Sequence, residues 1–210
     1  MTRRHFGFLV EVLEALLLTI VVFFVIQTFI AQPFRVEQGS METTLHEGQY
    51  ILIDKVTPLF DGYSRGDIIV FRPPASANEP DDTPFIKRVI GEPGDQIAIH
   101  DGKVWVNGVA LDESSYVYDG EPTYPTDPAL SSWTVPAGSL FVLGDHRDDS
   151  TDSRTARLGL IPIDHVIGRA VLRYWPLSSV ALIQPPTYTP IPVAAAGIPD
   201  AASAPFAGTP

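Results

Sequence analysis

Three short segments carry residue types that can do chemistry together. The first is Val36-Glu37-Gln38-Gly39-Ser40-Met41-Glu42-Thr43-Thr44-Leu45. Gly39 allows a close-approach backbone conformation, so Ser40 can stand exposed on a turn with its own N–H facing a bound carbonyl. A Gly-Ser pair is equally an ordinary turn. The second segment is Phe85-Ile86-Lys87-Arg88-Val89-Ile90-Gly91, followed by Pro93-Gly94-Asp95. On a strand, side chains alternate between faces, which puts Phe85, Lys87 and Val89 on one side and Ile86, Arg88 and Ile90 on the other. A lysine between apolar neighbours on a core-facing side loses solvation, and its pKa falls. Such an amine, neutral near pH 7–8, can take a proton from a serine hydroxyl. The other reading puts Lys87 in water and packs the Arg88 stem. The third segment, Gly144-Asp145-His146-Arg147-Asp148-Asp149-Ser150-Thr151-Asp152-Ser153-Arg154, is dense in Asp, Ser and Arg and follows a candidate strand. Arg–carboxylate pairing can hold such a loop rigid; a solvated loop is the plain alternative.

Other chemistries are less well served. None of the five histidines sits in a Gly-x-Ser-x-Gly or His-Glu-x-x-His context. The chain has no cysteine, which removes zinc-thiolate sites, disulfides and thiol nucleophiles. The run from Asp145 to Asp152 faintly resembles a calcium loop, but it lacks the turn glycine, and Gly159 stands where the twelfth-position acid should be. No cofactor and no metal are expected. A formal charge of -11 argues against nucleic acid as a partner.

The elements that must position these residues are mostly β. Candidate strands are 50–55, 67–72, 85–90, 96–100, 103–107, 140–143 and 169–175, each rich in Val, Ile, Phe, Tyr or Trp and bounded by Gly, Pro or Asp. His100-Asp101-Gly102-Lys103 carries a two-residue hairpin signal. No convincing helical period follows residue 31. The expected fold is a compact, mainly β domain of short antiparallel strands preceded by one transmembrane helix. Long loops are expected over 73–84 and 114–132. The stretch 185–210, rich in Pro and Ala, reads as a disordered tail.

The N-terminus carries Arg3 and Arg4 and no acid in its first ten residues, then an uncharged apolar run over 15–31. Extended back to Phe8, that run is long enough to span a bilayer. Basic residues before the span place the N-terminus in the cytoplasm and the rest outside. A cleaved signal peptide would need a small-x-small site, and Phe29 stands two residues before Ala31. The same lack weakens a twin-arginine export reading of Thr2-Arg3-Arg4-His5-Phe6. Burial as a core helix is the remaining alternative. The organisation expected is a cytoplasmic N-terminus (1–7), a membrane anchor (8–31), an extracytoplasmic catalytic domain (32–184) and the tail (185–210).

Taken together, the segments resemble the boxes of the bacterial type I signal peptidases. Gly39-Ser40-Met41 with Leu45 is similar to the nucleophile box, and Gly66-Asp67-Ile68-Ile69-Val70-Phe71 to the strand box after it. Lys87-Arg88-Val89-Ile90-Gly91 with Pro93-Gly94-Asp95 is similar to the lysine box. Gly144-Asp145, Arg147-Asp148, Ser150 and Asp152-Ser153-Arg154 are similar to the late loop box. Gln32-Pro33-Phe34-Arg35-Val36 after the anchor also fits. The resemblance runs from about residue 8 to 176. It implies Ser40 as nucleophile, Lys87 as general base and Ser150 as hydrogen-bond partner of the lysine. It further implies that Asp152, Arg154 and Asp145 brace the loop, and that the Ser40 N–H contributes to the oxyanion hole. The implied partners are signal peptides of exported preproteins, the lipid bilayer of the cell membrane and, indirectly, the secretion machinery. Three positions depart from the pattern: Gln38 where many members place a hydroxyl donor to the oxyanion, Thr43-Thr44-Leu45 for Pro-Thr-Leu, and His146 for a frequent Asn. Gln38 also keeps an inactive paralogue in view. A self-cleaving Ser-Lys repressor would need an N-terminal DNA-binding domain in place of the apolar segment. A non-enzymatic anchored β domain would not explain the lysine and late boxes occurring together.

Overall fold

A computed structural model describes residues 2–77 and 83–191. The chain begins with helix α1 (Thr2–Val25), which ends in a π-helical turn, Ile26–Ile30. The apolar stretch Glu11–Ile30 has mean hydropathy 2.4 and is not covered by the rest of the protein. Leu13, Leu17, Leu18, Phe24 and Phe29 are all exposed. The core-helix alternative is therefore excluded, and the segment stands as a candidate membrane span.

Strand β1 (Ala31–Arg35) continues directly from it and pairs antiparallel with β2 (Tyr50–Asp54). The sequence shows no sign of β1, because Pro33 interrupts it and its start is continuous with the apolar run. As an edge strand it tolerates a proline. A four-residue helical turn α2 (Pro58–Asp61) leads to β3 (Ile68–Phe71), then β4 (Phe85–Gly91). Next come β5 (Gln96–His100), β6 (Lys103–Val106), β7 (Val109–Ala110) and β8 (Ser132–Thr134). The chain closes with β9 (Ser139–Leu143), β10 (Ile161–Pro162), β11 (Val166–Trp175) and β12 (Ala181–Leu182).

The strands form two antiparallel sheets. The larger has the order β1-β2-β11-β3-β4-β9-β10 with β12 also on β11; the smaller has the order β7-β6-β5-β8. The expected mainly β fold is what the structure has. Every strand predicted from alternation is present, although β11 begins three residues earlier than expected.

Three apolar clusters hold the sheets. Ile69, Phe71, Phe85, Val89 and Val142 form one; Ile90, Ile97, Val106, Phe141 and Leu143 a second; Val36, Met41, Leu45, Ile51 and Ile53 a third. Strand β4 contributes to both of the first two clusters from its opposite faces, so its residues 87–91 are all buried. In that setting both faces of the lysine box are desolvated.

One expected loop and part of the expected tail are more ordered than the sequence suggested. In 114–132, Tyr116 and Thr123 are buried, and Ser132 already belongs to β8. The first part of the expected tail also packs: Tyr188 and Ile191 lie against the second apolar cluster. The rest of that tail, 192–210, and residues 78–82 of the first loop lie outside the described residues.

Candidate active site

Ser40 sits in a 3-10 turn, Gly39–Met41, just beyond β1. The turn is plugged into the third cluster by Met41 and Leu45, both fully buried, with the Leu45 amide donating to the Met41 carbonyl at 2.8 Å. The first amides of such a turn have no acceptor inside it, which leaves donors for a bound oxygen.

Lys87 comes from the middle of β4, where it pairs with Ile69 of β3. Its face is the one carrying Phe85 and Val89, as alternation requires. Only 2% of Lys87 and 4% of Ser40 is exposed. Lys87 Nζ donates to Ser40 Oγ at 2.7 Å and to the Ile86 carbonyl at 3.0 Å. Burial pushes the ammonium down from 10.5 to about 8; the carboxylates of Asp152, Asp145 and Asp149 oppose that shift. A buried amine of this pKa on a serine hydroxyl has the geometry and basicity to take its proton.

The third segment follows β9 and wraps the pair. Asp145, fully buried, accepts from Arg88 Nε at 2.8 Å and Nη2 at 2.6 Å, and from Thr44 Oγ1 at 2.5 Å. It thereby ties the lysine strand to the serine turn. Asp152 accepts from Arg154 Nε and Nη2, each at 2.9 Å, and from the Gly144 amide at 3.2 Å. Arg154 also donates to the Arg147 carbonyl at 2.6 Å. The His146 amide donates to the Ser40 carbonyl at 3.1 Å, fixing the turn from the loop side. Its ring stacks on Tyr118 and faces Glu121, with Nε2 3.3 Å from the carboxylate.

One expected contact is missing. Ser150 lines the pocket with Ser40 and Lys87, yet its buried Oγ has no hydrogen-bond partner among the described residues. The bond from Ser150 to the lysine amine is thus not formed here: Nζ is already engaged by Ser40 and the Ile86 carbonyl. Gln38 is exposed at the junction of this pocket and a neighbouring cleft.

Sequence reasoning did not assign roles to Arg88, Thr44, Arg147 and Glu113. Arg147 donates to the Gly144 carbonyl at 2.9 Å, to Thr123 Oγ1, and to both Glu113 oxygens at 2.7 and 3.1 Å. An Arg flanked by apolar residues on a buried strand signals a buried acid partner, so Arg88 was findable in principle. Glu113 carries no local signal, because its partner lies 34 positions away.

The neighbouring cleft is lined by Pro33–Gln38 on one side and Thr83–Ile86 on the other, with Ile51 and Val70 at its base. Strands β1 and β4 are separated by three strands in the sheet order, so the sheet curls to bring them to one cleft. Among the described residues the outer edge of β1 has no paired strand. On β4 the register to β9 begins only at Arg88, leaving residues 85–87 open on that side.

The chain is similar in sequence to known proteins. A family profile described as "Signal peptidase, peptidase S26" matches residues 9–175. Signal peptidase I of Leptolyngbya laminosa is 36% identical over 181 residues, 85% of either chain. Probable signal peptidase I-2 of Synechocystis is 36% identical over 159 residues, 75% of this chain and 69% of that one. Signal peptidase IB of Staphylococcus aureus is 31% identical over 182 residues, 81% of this chain and 91% of that one. A crystal structure of a signal peptidase I from Enterococcus faecalis V583 is 34% identical and covers 51% of this chain and 95% of that chain, with a TM-score of 0.39. The class so defined is a peptidase. The chain belongs to the signal peptidase family, peptidase S26.

Proposed function

We propose that the chain is a type I signal peptidase that hydrolyses exported preproteins by a Ser-Lys mechanism, with Ser40 as nucleophile and Lys87 as general base. The observation that carries this reading is the buried 2.7 Å contact between Lys87 Nζ and Ser40 Oγ. Neutral Lys87 takes the hydroxyl proton as Oγ attacks the scissile carbonyl. The tetrahedral oxyanion develops against the Ser40 N–H, a donor of a kind typically worth about 3–4 kcal/mol. Gln38, with an amide that can donate and a place at the mouth of the pocket, is the candidate second donor. Collapse expels the amine, which takes the proton from Lys87, and leaves an ester on Ser40. Water, deprotonated by Lys87, then attacks the ester, and the acid leaves as Ser40 Oγ takes the proton back from Lys87. Ser150 Oγ, buried and without a partner, is available to hold the amine once Ser40 is acylated. Asp145, Asp152 and Arg154 keep the three segments in register.

The cleft supplies the substrate site. An extended chain can add to the open edges of β1 and β4 by main-chain hydrogen bonds, with alternate side chains entering the cleft. Its volume of about 340 Å³ leaves room for such a segment. The preference for small-x-small sites rests on the family resemblance, not on this volume.

The Glu11–Ile30 segment anchors the chain in the lipid bilayer of the cell membrane. Arg3 and Arg4 hold the N-terminus inside and the catalytic domain on the outer face. The secretion machinery acts indirectly, by delivering preproteins there.

Cleavage of a preprotein bearing an Ala-x-Ala site tests the chemistry. Detergent-solubilised wild type should cut after the second alanine, Ser40→Ala and Lys87→Ala should be folded but inactive, and Gln38→Ala should turn over more slowly. Cutting by folded Ser40→Ala would remove Ser40 as nucleophile. Unchanged turnover in Gln38→Ala would mean that it supplies no important donor.

A further inference from the structure

The family match ends at residue 175, yet residues 185–191 come back onto the catalytic domain. Pro185, Pro186 and Tyr188 lie directly on Gly66: a Cβ there would stand 3.0, 2.9 and 3.1 Å from them. Two consecutive prolines restrict this segment before it docks, which lowers the entropy lost in holding it. Ile191 packs on the second apolar cluster.

Tyr188 connects this segment to both catalytic loops. Its hydroxyl donates to the Tyr116 hydroxyl at 3.1 Å, and the two rings meet edge to face at 6.4 Å. Tyr116 in turn donates to Glu113 Oε1 at 2.8 Å. Glu113 holds Arg147, whose Nε donates to the Gly144 carbonyl at the head of the late loop. The Tyr116 ring also lies under the Arg88 guanidinium, 4.2 Å from ring centroid to Cζ. Arg88 grips Asp145, which accepts from Thr44 four residues past the nucleophile, and donates to the Gly66 carbonyl at 2.9 Å. One tyrosine thus stands at the root of two chains of contact, one ending at the serine turn and one at the late loop.

We propose that residues 185–191 form a strap that positions the catalytic loops, with Tyr188 as a positioning residue for peptide hydrolysis. The proposal rests on the Ser40–Lys87 reading. The strap touches neither reacting group nor the substrate cleft, so its loss changes the alignment of Ser40 with Lys87 and leaves substrate binding alone. Misplacement of reacting groups by a fraction of an ångström lowers turnover before it lowers affinity.

The test is steady-state preprotein cleavage by the full-length, detergent-solubilised protein. Wild type is compared with Tyr188→Ala, Tyr188→Phe, Tyr116→Phe, the Tyr116→Phe/Tyr188→Phe double variant and Ser40→Ala. Tyr188→Ala should lower kcat about tenfold with KM within about twofold. Tyr188→Phe, which keeps the ring, should lose less. Because both Phe substitutions cut the same relay, the double variant should fall no further than Tyr116→Phe alone. Unchanged kcat in folded Tyr188→Ala and Tyr188→Phe, losses that multiply in the double variant, or an effect confined to KM or to thermal stability would each overturn the proposal. If Tyr188→Ala does not fold, the Phe cycle decides. Activity retained by Ser40→Ala strikes the Ser-Lys reading itself and is read separately from the Tyr188 effect.

Discussion

Lys87 carries opposed demands: it must be buried to be neutral, and it is surrounded by carboxylates that favour its charge. The balance is a pKa of about 8 in the folded chain against 10.5 in an exposed lysine. The proposed mechanism needs the neutral amine, so kcat/KM should rise with pH and level off above about pH 8, as a pH–rate profile of preprotein cleavage would show. The effect on stability follows from the same shift. Between about pH 8 and 10.5 the unfolded chain holds the lysine proton and the folded chain does not, so stability rises with pH across that window. The full change is about 3 kcal/mol. Lys87→Met takes up no proton on unfolding and should lose this part of the pH slope. It should also be the more stable protein near neutrality. Urea titrations of both proteins from pH 7 to 10 measure the difference. At this scale, alternation on a strand fixed which side chains share a face with Lys87 but left that face open to core or water; only the resemblance of the boxes tied Lys87 to Ser40. That Ser150 Oγ would have no partner among the described residues was not legible, since an alternation pattern says nothing of rotamers in a loop.

Elements position these residues through backbone contacts that tolerate no side chain. Gly144, between β9 and the late loop, is the clearest case: a Cβ there would fall 2.2 Å from Ser150 Oγ and 2.6 Å from the Ser40 carbonyl. A carbonyl cannot swing aside as a flexible side chain can. Gly144→Ala should therefore push the late loop away from the serine turn, lowering kcat on the order of a hundredfold with circular dichroism unchanged. Gly168 plays the same part between β11 and β2, where a Cβ would meet the Asp54 carbonyl at 2.4 Å. Gly168→Ala should be an overpacking lesion, costing about 1–3 kcal/mol in denaturant unfolding. Alternating strands such as β5 and β6 could be read from the sequence. The two-residue strands β7, β10 and β12 could not, because two residues carry no period. The support given to the late loop by Tyr116 and Thr123 was hidden for a related reason: they lie in a stretch whose prolines signal only an absence of regular structure.

On the scale of the whole molecule, the chain is an apolar helix joined without a break to a β domain. Arg3 and Arg4 stand before the span, against Arg35 alone among the Arg and Lys of the ten residues after it, so the orientation proposed above should show in protease accessibility. Protease added outside intact spheroplasts should digest the catalytic domain; its protection until the membrane is broken would reverse the topology. The join itself is stiff. The π-helical turn passes straight into β1, and Lys55, just beyond β2, donates to the Thr28 and Gln27 carbonyls at 3.1 and 3.4 Å. Its own amide donates to the Ile30 carbonyl at 3.0 Å. Only nine residues separate Ile30 from Ser40, and the ten steps give a contour of roughly 33 Å at full extension. With its lower end clamped, that short arm fixes Ser40 at a set height above the end of the candidate span. On the proposed reading the protein works as a ruler as well as a sieve: a preprotein is cut where its small residues fit the cleft and where their distance from its own apolar segment matches the length of the arm.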